Sequence, residues 1–128
     1  MKVYSSYYDK TRELNEDEYV LLRVSRKEPP EWFMDTVPNH VDLSDMFGPT
    51  EAMLKECPPN ENWAEFKPRY KKDVLGKLDK ISTLDSLNRI FLENDKRPLL
   101  LLCYETPDLM CHRHLIADYL GIEITELN

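Results

Sequence analysis

The stretch Leu99–Leu120, LLLLCYETPDLMCHRHLIADYL, decides how this chain is read. Four leucines and a cysteine in a row leave no polar face, which is the pattern of a central, buried strand. The run breaks at Glu105, and Thr106-Pro107 supplies an N-cap and first-turn pair for a helix that extends to Leu120. Gly121 then serves as its C-terminal cap. A strand that feeds a helix through a short turn is the unit from which open parallel sheets are built. In such sheets ligands sit at the carboxyl ends of strands and the amino ends of helices. Two cysteines, a glutamate, two histidines and an arginine crowd that junction.

Outward from this unit, further strands and helices alternate. Lys2–Tyr8 reads as a first strand, and Tyr19–Ser25, YVLLRVS, as a second with both faces buried. Glu31–Met34 forms one helical turn behind Pro29-Pro30, and residues 35–49 read as irregular. A short helix covers Thr50–Glu56. A longer one covers much of Asn62–Leu78, where Trp63, Phe66, Tyr70, Val74, Leu75 and Leu78 make one apolar stripe. Pro68 places the start of that helix near Lys67 or kinks it there. Thr83–Asn94 is another helix, capped by Ser82 or Thr83, and Ile122–Leu127 a last strand. The expectation is one three-layer α/β domain over residues 1–128 with a small, mainly parallel sheet.

Composition narrows the function. A formal net charge of −7 disfavours nonspecific binding to duplex nucleic acid while permitting a local basic pocket. The longest apolar run, Leu99–Tyr104, is far short of a membrane span, and Met1-Lys2 leads into VYSSYY rather than a secretory signal. Three cysteines, an odd number, read as reduced thiols in a cytoplasmic protein.

Periodicity sorts the crowded junction. Cys103 and Glu105 share one side of their strand. With Asp108 as N-cap, Cys111 lies in the first helical turn, where free N–H groups favour a thiolate; with Thr106 as N-cap it lies a turn deeper. His112 shares a stripe with Leu115, Ile116 and Tyr119 and points inward. Arg113 lies beside that stripe, near the rim. His114 faces the other way, one turn from Asp118, as a surface pair.

Several readings compete for these residues. Cys103 and Cys111 can be inert packing and His112 a satisfied core histidine, although five polar groups in eleven residues are a costly way to build a core. A zinc site on Cys103, Cys111 and His112 has a C-x7-C-H spacing that matches none of the common zinc patterns. A phosphatase loop fails, because Leu109 stands where its arginine is required. The last reading is a pocket for an anionic ligand. There Arg113 and helix N–H groups bind negative charge, Glu105 with His112 is the acid/base pair, and Cys103 or Cys111 is the nucleophile.

The signature Cys103-Tyr104-Glu105 followed by Cys111-His112-Arg113 resembles the domain-of-unknown-function 488 family, in which a hydrophobic strand, Cys-x-Glu, a short gap and Cys-His-Arg recur. Val3–Tyr8 is similar to the Tyr/Ser-rich first strand of the family's short phage and bacterial branch. Arg26 with Pro30-x-Trp32 looks like that branch's Arg-x-x-Pro-x-Trp element with one extra residue. Trp63, Phe66, Arg69, Tyr70 and Val74-Leu75 match the spacing of its W-x-x-[YF]-x-x-R-Y-x-x-x-V-L helix. The resemblance implies a Rossmann-like fold and a pocket lined by the signature, and it supplies no reaction.

The expected protein is a small cytoplasmic one, in a host cytoplasm if phage-encoded, with a pocket for an anionic, nucleotide-like ligand. Cys103, Glu105, Cys111 and His112 are its catalytic candidates, and Arg113, Arg26, Arg69, Tyr70 and Ser5 its ligand-binding candidates. It is either an enzyme acting on nucleotide or nucleic-acid-derived substrates or a noncatalytic protein that sequesters a nucleotide or binds a protein partner. A zinc-stabilised interaction module stands third. No cofactor and no membrane partner is called for.

Overall fold

In the computed structural model, which describes residues 1–104 and 111–127, five strands form one all-parallel sheet. They are β1 (Val3–Tyr7), β2 (Val20–Arg23), β3 (Val41–Asp42), β4 (Leu99–Cys103) and β5 (Ile124–Glu126), in the spatial order β3-β2-β4-β1-β5. The strand expected to be central is central: Leu99 pairs with Val3 on one side and Val20 on the other. All five of its residues are buried. Leu99, Leu101 and Cys103 enter one core and Leu100 and Leu102 the other, so no position on β4 tolerates a polar side chain.

The two faces are covered unequally. One carries α2 (Ser44–Phe47), α3 (Glu51–Glu56), α4 (Trp63–Asp73), α5 (Lys80–Glu93) and α6 (Arg113–Leu120), with Phe47, Met53, Phe66, Leu87 and Ile116 in the core. The other carries α1 (Glu31–Thr36), whose Phe33 packs with Tyr8, Leu100 and Leu102. The result is a Rossmann-like, three-layer α/β fold.

Several boundaries differ from the sequence reading. Residues 35–49 hold β3 and α2, both too short to show a period. β3 exists because β2 supplies its ladder, with Leu22 opposite Val41 and Arg23 opposite Asp42. The long helix begins at Trp63 and runs through Pro68. The backbone bond that proline removes is offset by burial of Phe66 and Tyr70 and by stacking of Trp63, Phe66 and Tyr70 with 5.7 Å between successive rings. The next helix starts earlier than expected, at Lys80. Asp79 rather than Ser82 or Thr83 caps it, accepting from the Ser82 N–H at 2.9 Å. Gly121 takes the left-handed conformation expected of it, with φ of 66°. The proposed caps Thr106 and Asp108 lie outside the described residues.

Candidate functional site

The carboxyl ends of β2 and β4 are adjacent, and the chain leaving β2 builds one wall of the site there. Five consecutive carbonyls after that strand each accept a side-chain hydrogen bond. His112 Nε2–H donates to Val24 O at 2.6 Å, and Arg23 donates to Ser25 O at 3.2 Å and to Arg26 O at 2.8 Å. Ser25 Oγ donates to Lys27 O at 2.8 Å, and the Tyr104 hydroxyl donates to Glu28 O. The Tyr8 hydroxyl in turn donates to Ser25 Oγ at 2.7 Å. A loop with its carbonyls tied in this way is held in one shape before any ligand arrives. Gly48 completes the wall: a Cβ there would lie 2.5 Å from Ser44 O and 3.4 Å from Arg26 Cα, so no larger residue fits.

Between this loop and the end of β4 lies a cavity of about 260 Å³, lined among others by Ser25, Arg26, Lys27, Cys103, Tyr104 and His112. Arg26 is braced by Nε donation to Pro49 O at 2.8 Å. Lys27 is exposed, lies 5.0 Å over the Tyr104 ring and has no carboxylate at ion-pair distance among the described residues. The mouth is therefore basic in an acidic protein.

The floor is buried. Cys103 and Cys111 are fully inaccessible and their sulfurs touch, whereas Cys57 is a separate, buried free cysteine. The expectation of three independent thiols is corrected on this point: two of them form a pair. Arg113 Nη1 donates to Cys103 Sγ at 2.8 Å. The same guanidinium grips Glu126 through Nε at 3.1 Å and Nη2 at 3.2 Å. Ser5 Oγ donates to Glu126 at 2.7 Å, and His114 Nε2 lies 3.4 Å from it. Burial pulls the Glu126 carboxyl up, but hydrogen bonds from His114, Arg113 and Ser5 outweigh it and hold it below the usual range.

His112 is 4% exposed, and burial pushes its pKa down to about 4, so the ring is neutral at physiological pH. Since its Nε2–H points at the Val24 carbonyl, Nδ1 carries the lone pair, 3.5 Å from Cys111 Sγ. Tyr70 packs on that ring at 5.3 Å and donates its hydroxyl to Phe47 O at 2.6 Å, which continues the aromatic ladder of α4 down to the floor.

The structure thus gathers Cys103, Cys111, His112 and Arg26 around one cavity and its floor, and gives the other expected residues different places. Arg113 is not at the rim: at 1% exposed it lies beneath the floor, saturated by Glu126 and Cys103. Ser5 holds Glu126 from below. Tyr70 props His112 rather than facing the cavity. Arg69 does not line the cavity; it pairs with Glu56 at 2.7 Å and reaches Cys57 Sγ at 3.7 Å. His114 faces Glu126 rather than Asp118. Glu105 lies outside the described residues. Sequence reading missed Glu126, Arg23, Ser25 and Lys27. None of the four stood out locally, since Glu126 shares the terminal IEITEL run with a second acidic residue, Glu123.

Fold and site together define a class: a parallel α/β domain with buried Cys, His and Arg side chains converging on a basic-mouthed cavity at its strand ends. The chain belongs to the domain-of-unknown-function 488 family, since a family model described as "Active DUF488-N3 subclade" matches residues 6–123. No curated protein and no solved structure gives a significant match.

Proposed function

We propose that this protein is a small enzyme that binds an anionic, nucleotide-like substrate in the cavity at the carboxyl ends of β2 and β4. The observation that supports this best is the pairing, in one cavity, of a basic mouth formed by Arg26 and Lys27 with the buried Cys103 and His112 floor. The position is the one where open α/β sheets take their ligands. A volume of about 260 Å³ suits part of a nucleotide, with the remainder reaching past Lys27 to solvent. Lys27 and Arg26 would meet the phosphate, and the Tyr104 ring offers an edge to a base or sugar. Glu105, by its place in the Cys-x-Glu signature, is the acid/base candidate. That the matched subclade is described as "active" accords with a catalytic reading. The reaction would take place in the cytoplasm, that of a host cell if the gene is carried by a phage.

The test is a thermal-shift and calorimetric screen against nucleotides, with inorganic phosphate as the minimal anion. A ligand at 100 times its dissociation constant stabilises the fold by about 2.7 kcal/mol. K27A should weaken that shift while melting like the parent, and R26A should weaken it at a stability cost of about 1 kcal/mol for the Pro49, Ser44 and Gly48 carbonyls it releases. Binding without turnover of the bound nucleotide would favour the alternative, a sequestering protein. No shift with any nucleotide would defeat both readings.

A further inference from the structure

We infer that Cys103, Cys111 and His112 form a buried site for one zinc-class divalent cation, with its fourth coordination position open to the cavity. The inference goes beyond the anion-binding reading, with which it shares Cys103 and His112, and it is tested by metal binding rather than by nucleotide binding. Its starting point is that two sulfurs and a ring nitrogen from these residues lie within 4.8 Å of one another, all three side chains being buried.

Four further observations carry it. First, the imidazole is prepared as a ligand: Nε2–H is committed to the Val24 carbonyl, which leaves the Nδ1 lone pair directed at the cysteine pair. Metal-bound histidines characteristically donate their other N–H to a carbonyl or carboxylate in this way. Second, the backbone spacing suits a bridging metal. The Cα atoms of Cys103 and Cys111 are 7.8 Å apart. Disulfides usually span about 4.4–6.8 Å between Cα atoms. Two thiolates on one tetrahedral zinc, each at about 2.3 Å, stand about 3.8 Å apart and reach across the wider gap.

Third, charge closes. Two thiolates balance one dication and the imidazole is neutral, while Arg113 is already matched by Glu126. The cluster is neutral with the metal bound, and without it the two sulfurs either keep their protons or join as a disulfide, so metal binding releases two protons from the reduced pair. Arg113 Nη1, 2.8 Å from Cys103 Sγ, is placed to hydrogen-bond a metal thiolate from outside the coordination shell. Fourth, Cys103 and His112 both border the cavity beside Arg26 and Lys27, so a water or substrate oxygen can complete the tetrahedron. Three protein ligands plus an open position is the pattern of catalytic rather than structural zinc.

The C-x7-C-H spacing escapes the common zinc patterns because no single turn brings these donors together. Cys103 ends β4, and Cys111-His112 stands immediately before α6.

The experiment uses the full chain, purified under reductant. Metal content is measured by elemental analysis, and cobalt is titrated in as a spectroscopic probe. The expected result is one zinc per chain and, with cobalt, a thiolate charge-transfer band with tetrahedral d–d absorption. X-ray absorption of the zinc form should report two sulfur neighbours. C103S and C111S should each lose the cobalt band, H112A should shift it, and C57S should leave it unchanged. The wild-type titration and absorption spectra decide the matter even if a variant fails to fold. Reduced wild-type protein that neither retains zinc nor gives the cobalt band, or a metal shell without sulfur, overturns the inference. Nucleotide binding measured in the same samples is a separate readout, so either proposal can fail alone.

Discussion

Two cavities of similar size lie at opposite ends of β2, and they differ in what their polar groups are doing. The one at the amino end, about 310 Å³, is bordered by Glu16, Asp17, His40 and Arg97, and is the more polar to a casual eye. Yet its strongest cation is spoken for: Arg97 donates to Asn94 O, Asp17 O and Tyr19 O at 3.1–3.3 Å. His40 is likewise bonded to Val37 O at 2.8 Å. These groups close loops. At the carboxyl end the loop carbonyls are satisfied by residues outside the cavity as well as inside it. Lys27 is thereby left without a carboxylate partner among the described residues at the mouth, above a floor of Cys103 and His112. Volume and polarity do not make a site; polar groups whose bonding capacity is unspent do.

The strongest way to break this contrast is beneath the floor. Arg113→Met removes a fully buried guanidinium and leaves the part-buried Glu126 carboxylate to Ser5 and His114 alone, which should cost about 3 kcal/mol by chemical denaturation. A loss under about 1 kcal/mol would mean that the pair is not the buried anchor described above. Tyr70→Phe is milder. It orphans the buried Phe47 carbonyl and should cost about 1–3 kcal/mol with no change in nucleotide affinity.

Acid should act through Glu126. Its carboxyl is held below its ordinary value of 4.5 in the folded state, so the stability it contributes is complete above that value and drains away as pH falls through the lower folded one. Glu126→Gln should flatten that part of a stability-against-pH curve, and an unchanged acid limb would remove Glu126 from the account. Glu105→Gln should abolish turnover while preserving both the fold and ligand binding; full activity in that variant would end its assignment. The smallest effect belongs to the other end. Arg97→Met should lower stability by about 1 kcal/mol and leave nucleotide affinity untouched. Any matching loss of binding there would dissolve the distinction between the two cavities.

Much of this was legible beforehand, and the reason is periodicity. Leu99–Cys103 could only be a strand buried on both faces, and Gly121 could only end a helix of that length. The inward direction of His112 followed from its stripe with Leu115, Ile116 and Tyr119, which is local geometry along one helix. Errors arose where partners come from distant sequence. Arg113 looked like a rim cation until Glu126, from a strand paired beside β1, drew it under the floor. Arg69 looked like a phosphate ligand until Glu56 claimed it. The Val24–Glu28 cradle had no signature at all, because its bonds are made by Arg23 on β2, Ser25 in the loop itself, Tyr104 just after β4 and His112 just before α6 to main-chain atoms that every residue possesses.

The sequence by itself thus determined the architecture and the family, since strand alternation, helical spacing and capping act over a few residues and leave their mark in order. Only the tertiary structure decided the roles: which cation is free, which is saturated, and which sulfurs meet. Those depend on who neutralises whom across the sheet. Charge and hydrogen-bond capacity are settled between neighbours in space, and one chain read in order does not say who those neighbours are.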